Sequence, residues 1–304
     1  MHSADFCRIL AQVAKQVIIQ LVPEAERGIV FDRDNFQDGY FNIARALPHE
    51  DTIYFADQAH VPYGPRGETE IRGFCDVIAR YLLARHCKAI VVACNTASAT
   101  ALKHLRDTFP EVATIGMEPA VKPAAALTKS GVVGIMATPA TFQGRLFKAT
   151  AGRHATGISL VNQVCDGLAE QVEAGQLEGP GTESLLRRCL APILDAGADT
   201  VVLACTHYPF VIDTIRRIAG PGVSVIDPAP AIARHLGNVL AEQGLQRQGS
   251  DQDSRQGQHD FVTSGDAGHF ASALLRLTGV RAPVAAVRWS SGGLSAATDV
   301  AWQR

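Results

Sequence analysis

Two cysteines stand where a thiol could do chemistry. Ala89-Ile-Val-Val-Ala93 runs into Cys94-Asn-Thr-Ala-Ser98, and Asp199-Thr-Val-Val-Leu-Ala204 runs into Cys205-Thr-His-Tyr208. Each is an apolar, β-branched run that reads as a buried strand, closed by a thiol and then by small polar residues. In open parallel sheets ligands collect beyond the carboxyl ends of strands, and a following helix start offers unpaired backbone N–H groups that favour a thiolate or hold a carboxylate. Two thiols on facing walls suit the inversion of a stereocentre with an acidic C–H, because one group removes the proton and the other delivers one to the opposite face. A disulfide and a metal site are the competing uses of two facing thiols. The remaining cysteines, Cys7, Cys75, Cys87, Cys165 and Cys189, read as small buried hydrophobes.

The elements that must position these thiols repeat. The cysteines lie 111 positions apart; 24 residues after the first comes Ile115-Gly-Met-Glu118-Pro119, and 22 after the second comes Val225-Ile-Asp227-Pro228. Upstream, Gly28-Ile-Val-Phe-Asp32 and Gly131-Val-Val-Gly-Ile-Met-Ala137 are comparable opening strands. Strands alternating with longer helical stretches imply βαβ units, so the fold class expected is α/β: two similar domains with parallel sheets flanked by helices, related by a pseudo-twofold, with the site in the cleft between them. The first domain is expected over 28–118 plus 228–304 and the second over 119–227. Residues 1–27, with apolar positions Leu10, Val13, Val17, Ile18 and Leu21, read as an N-terminal helical extension ending near Pro23. The polar, aperiodic stretch Gln246 to Asp260 reads as a mobile surface loop.

Composition narrows the function classes. Of 304 residues 47% are hydrophobic, enough for a substantial core, and 28 basic residues against 30 acidic leave a net charge of -2, without the cationic excess of a nucleic-acid binder. No apolar run approaches the length needed to cross a bilayer, so no membrane association is expected. The odd cysteine count, seven, without a Cys-x-x-Cys pair, fits a reducing cytoplasm. No glycine-rich nucleotide fingerprint follows a strand.

Four separated motifs, Pro48-His49-Glu50-Asp51, Val61-Pro62-Tyr63-Gly64, Ala93-Cys94-Asn95-Thr96-Ala97-Ser98 and Ala204-Cys205-Thr206-His207-Tyr208-Pro209, together resemble the cofactor-independent glutamate racemases, with Thr263-Ser264-Gly265-Asp266 as a late landmark. The resemblance implies an isomerase that makes D-glutamate for peptidoglycan synthesis, with no metal and no cofactor. Cys94 and Cys205 would be the two acid/base residues, Asp32 and His207 would assist them, and Glu173 resembles a further family acid. Tyr63, Gly64, Asn95, Thr96 and Thr206 would hold the amino acid, with Thr138 and Thr141 added from the second half. The partners it implies are the substrate glutamate, a homodimer, and DNA gyrase, which some members of the family bind.

One loop departs from the family. Where Ser-Gly-Val-Gly-Gly normally follows the first aspartate, this chain has Arg33-Asp-Asn-Phe-Gln-Asp38-Gly39. Arg33 puts a long cation where a small hydroxyl is expected, and it could instead grip a substrate carboxylate. The departure leaves two alternatives open: racemisation of aspartate or another amino acid, and a racemase-like protein that binds ligands or partners without turnover.

Overall fold

The computed structural model describes residues 18–22, 39–60, 63, 66–117, 120–173, 175–247, 256–291 and 293–296. Its strands are β1 (Ile18–Val22), β2 (Asp51–Ala56), β3 (Ala89–Val92), β4 (Ala113–Gly116), β5 (Val132–Ala137), β6 (Ser159–Val164), β7 (Thr200–Ala204), β8 (Ser224–Ile226), β9 (His259–Thr263), β10 (Val284–Ser290) and β11 (Gly293–Ala296). Its helices are α1 (Gly39–Ala46), α2 (Glu68–Leu83), α3 (Asn95–Thr108), α4 (Val121–Leu127), α5 (Pro139–Gln143), α6 (Arg145–His154), α7 (Leu168–Glu173), α8 (Pro180–Asp195), α9 (Ile212–Ala219), α10 (Ala229–Glu242) and α11 (Ala267–Thr278). The strands form a seven-stranded sheet in the order β11-β10-β9-β2-β1-β3-β4 and a four-stranded sheet in the order β6-β5-β7-β8. Every pairing in the smaller sheet is parallel. The larger sheet is parallel across β2–β9–β10 and β3–β4, with β1 and β11 antiparallel.

Helices cover both faces of each sheet, which is why the central strands are apolar runs rather than alternating ones. The period of two along a strand then sorts side chains into separate cores. Tyr54 and Ala56 of β2 pack with α10 and α11 through Leu236 and Phe270, while Ile53 and Phe55 pack with α2 and α3 through Ile78 and Leu105. In the smaller sheet Met136, Val201 and Leu203 meet α8, and Val133, Ile135 and Val202 meet α4 and α6. No helix among the described residues is long and apolar enough to cross a membrane.

The helical reading of residues 1–27 is corrected within its described part. Ile18–Val22 is a strand, paired antiparallel to β2 and β3 on either side. Its apolar positions also match a helical spacing, but Ile18, Ile19 and Val22 are β-branched and suit a pleated strand better. The rest of that extension, and the strand expected at Gly28–Asp32, lie outside the described residues.

The reading of Gln246 to Asp260 as a loop also needs correction at its ends. β9 begins at His259, whose Nδ1 lies 2.8 Å from Thr52 Oγ1 across the parallel pair. Arg247 N–H donates to buried Glu50 (2.7 Å), and Gln258 N–H donates to Asp51 Oδ1 (2.6 Å). Gly257, beside this anchor, donates to Pro48 O (2.7 Å), and a Cβ there would collide with the main-chain carbonyl of Glu50. Backbone cannot yield as a side chain does. Gly257→Ala is expected to cost about 1–3 kcal/mol in urea unfolding.

Candidate active site

β3 runs into Cys94, which is the N-cap of α3. Its backbone is extended (φ -124°, ψ 125°), its side chain is 8% exposed, and Ala97 N–H donates to Sγ at 3.5 Å. Of the N–H groups that a helix start leaves without an intrahelical partner, one is therefore met by sulfur. Ser98, one turn on, fixes the strand-to-helix corner: Oγ donates to Val92 O (2.8 Å) and accepts from Met117 N–H (2.9 Å).

Cys205 follows β7 in the other sheet and is equally buried. The expected helix start is absent at this position. The chain instead makes a bend and a 3-10 turn over Tyr208–Val211, with Tyr208 N–H donating to Cys205 O, before α9 begins at Ile212. Pro209 has no N–H to donate, and its fixed φ suits the tight turn. The turn tucks His207 inward. It has no exposed surface, and its Nδ1 lies 3.5 Å from Cys205 Sγ.

The two strand ends meet. Asn95, next to Cys94, donates through Nδ2 to the carbonyl of Ala204, next to Cys205 (3.2 Å). Asn95 Oδ1 is buried and has no hydrogen-bond partner among the described residues. Helix α3 packs against α5 and α6 of the smaller sheet's unit, which fixes the approach. A small crevice opens at this seam, lined by Met117 from beyond β4 and by Cys205, Thr206 and Asp227 from the other side. Both thiols are unbridged, as are all the cysteines among the described residues. No cluster of three or more His, Cys, Asp or Glu side chains that could hold a metal occurs there.

Asp227, one residue beyond β8, was visible in the sequence only as an echo. Burial pushes its carboxyl up to about 6, against the opposing effects of the Ala229 N–H (2.9 Å) and of Arg216. The native state therefore holds a proton that the unfolded chain has lost between roughly pH 4 and pH 6, and stability falls as pH rises through that window. Asp227→Asn keeps the acceptor for Ala229 and removes the charge. It is expected to flatten this slope and raise stability at pH 7.5 by about 1–3 kcal/mol, read from melting curves at several pH values.

The other expected residues are brought in unequally. Thr138 and Thr141 stand just beyond β5 with hydroxyls 3.2 Å apart, and the pairing of Ala137 with Ala204 puts them past the same end of the sheet as Cys205. Thr96 lies half-buried in the first turn of α3, and Thr206 lines the crevice. Tyr63 is buried in the core cluster that also holds Cys94, and its hydroxyl donates to Asp57 (2.8 Å). Glu173 ends α7, which packs on the turn after Cys205; its side chain is outside the described residues. Asp32, Arg33 and Gly64 are also outside them. Asp57 and Trp289 escaped sequence reasoning. An acid directly at the carboxyl end of the apolar strand β2 was the available signal for the first; nothing local pointed to the second.

Two α/β units whose strand ends meet with a thiol on each side define the class of molecule. Residues 38–236 match the Asp/Glu/Hydantoin racemase family model, and the chain belongs to that family; it is an amino-acid racemase. The glutamate racemase of Roseiflexus sp. (strain RS-1) is 46% identical over 235 residues, covering 77% of this chain and 85% of that protein. The crystal structure of glutamate racemase isoform RacE1 from Bacillus anthracis superposes with a TM-score of 0.73 at 29% identity, over 81% of this chain and 90% of that one. Glutamate racemase from Francisella tularensis in complex with D-glutamate gives a TM-score of 0.70 at 25% identity, over 83% and 92%.

Proposed function

We propose that this chain interconverts L- and D-glutamate without a cofactor, using Cys94 and Cys205 as bases on opposite faces of the substrate Cα. The observation that carries the reading is the Asn95 to Ala204 hydrogen bond, which ties together the residues adjoining the two thiols. The solved relative with D-glutamate bound supports the choice of amino acid.

In one direction the Cys94 thiolate takes the Cα proton, so that the C–H bond breaks, an S–H bond forms, and the electron pair stays on the substrate. The Cys205 thiol then gives its proton to the other face and is left as the thiolate. The reverse reaction exchanges the roles. A carbanion next to a carboxylate is poorly stabilised, so the site has to be dry and electrostatically prepared. Burial of both thiols meets the first requirement. For the second, the α3 N-terminus faces the negative charge that the substrate brings. Asn95, Thr96, Thr206, Tyr63 and Gly64 hold the carboxylates and amine, aided by Thr138 and Thr141. Asp32 serves Cys94, His207 serves Cys205, and Glu173 is a further acid assigned to the second half of the reaction. Arg33, in place of the small hydroxyl, grips a carboxylate.

The cleft belongs to two domains, 28–118 with 228–304 and 119–227, whose closure excludes water. The product serves peptidoglycan synthesis in the cytoplasm, where the described cysteines stay reduced. The partners of this chain are the substrate glutamate, a second copy of the chain in a homodimer, and DNA gyrase. The test is incubation with L-glutamate in D2O, with aspartate in parallel, reading Cα deuterium by NMR and enantiomers by chiral chromatography. Deuterated D-glutamate is expected. Turnover of aspartate alone would move the substrate, and a folded protein inert toward both would sink the reading.

A further inference from the structure

Asp57 follows β2 at its carboxyl end, has no exposed surface, and takes four side-chain donors on its two oxygens, His60 Nδ1 reaching both (3.2 Å to Oδ1). Tyr63 Oη (2.8 Å) and His60 Nδ1 (2.9 Å) reach Oδ2, and Ser264 Oγ (2.6 Å) and Trp289 Nε1 (2.9 Å) reach Oδ1. The donors are themselves locked. Ser264 Oγ accepts from Ala59 N–H (3.0 Å), and the His60 ring stacks on Phe74 at 3.7 Å and meets Trp289 edge-on at 4.5 Å. Burying a carboxylate is expensive unless each lone pair is met, and this arrangement meets them from β10, from the turn after β9 and from the segment after β2. An apolar side chain could fill the same space. What the carboxylate adds is direction: it fixes where the Tyr63 hydroxyl points, in the cluster that contains Cys94.

We infer that Asp57 is a positioning residue of the racemase, holding Tyr63 in register with the substrate on the Cys94 side. This rests on the reading of Tyr63 as a substrate contact. Burial, and then the Asp57 carboxylate, push the Tyr63 phenol well above its ordinary range, so it remains a protonated donor to Asp57 and an anchored group rather than a base.

The test is a double-mutant cycle in the full chain, with kcat and KM for glutamate measured separately in both directions. Asp57→Asn keeps the shape but turns an NH2 group toward two donors, and Tyr63→Phe removes the hydroxyl alone. Each is expected to lower kcat/KM roughly tenfold or more, chiefly through KM, as a lost buried hydrogen bond would. The double variant should be no worse than the poorer single one. Losses that multiply, or an unchanged KM in Asp57→Asn, would overturn the inference. Should Asp57→Asn melt below the assay temperature, Trp289→Phe removes one donor and leaves a smaller aromatic ring in its place. Its rise in KM is expected to vanish in the Tyr63→Phe background, and persistence there would count against Asp57 acting through Tyr63. A wild-type chain inert toward glutamate would remove the parent reading and this one with it, whereas multiplying losses in an active wild type remove this one alone.

Discussion

Cys94→Ser and Cys205→Ser are each expected to lower glutamate racemisation by about 10²–10⁴-fold, and by the same factor in the two directions. Serine is nearly isosteric, so the buried corner after β3 and the bend after β7 keep their shape. Its hydroxyl, however, neither ionises near neutral pH nor stabilises a developing negative charge as sulfur does. The equal loss is a thermodynamic requirement. Enantiomers have the same free energy in an achiral solvent, so the ratio of the two kcat/KM values stays at unity whichever residue is changed. What differs between the variants is isotope exchange. With one thiol left, the enantiomer whose Cα–H faces it can still lose that proton to the remaining sulfur and regain a deuteron on the same face. Washout in D2O should therefore exceed inversion, for opposite enantiomers in the two variants. Near-normal inversion in either variant would exclude that cysteine as a base.

Local pattern carried much of this architecture. The apolar runs before Cys94 and Cys205 are legible because strands buried on both faces have few alternatives to β-branched and aliphatic residues, and their repetition marks two related units. The strand end followed by small polar residues made the place of Cys94 before a helix readable too, though not its role as the cap. Less legible was anything decided by partners far away in sequence. Ile18–Val22 satisfies a helical spacing, and its place between β2 and β3 is set by two strands that follow it in the chain. Asp57 is surrounded by Ser264 and Trp289, which lie 207 and 232 residues further on. No window on the sequence joins them. The turn after Cys205 is a subtler case: the motif repeats, but Pro209 and the inward His207 change the geometry, so the two thiols do not share one environment. Thiols in unlike settings can still form a two-base pair, because each need serve only one face.

That asymmetry gives His207 the second large expected effect. His207→Ala should lower kcat/KM by roughly 10²-fold or more, since it removes the only imidazole placed within reach of Cys205 Sγ among the described residues. It also hollows out a fully buried position, which should cost about 1–3 kcal/mol of stability. Alanine thus mixes two effects, and His207→Asn separates them. Asparagine sets a polar atom close to where Nδ1 stands, 3.5 Å from the sulfur, but it cannot take up or release a proton. If His207 moves protons to and from Cys205, the asparagine variant should fold normally, lose roughly 10- to 100-fold in kcat/KM, and no longer show the limb of the pH–rate profile that the imidazole carries. If His207 only orients the thiol, asparagine should restore most of the activity lost in the alanine variant and leave the profile unchanged. Parallel pH profiles of kcat/KM for wild type, His207→Asn and His207→Ala decide between the two. The melting curves of the same proteins report the packing cost independently, so a loss of rate without a loss of stability can be assigned to proton transfer at Cys205.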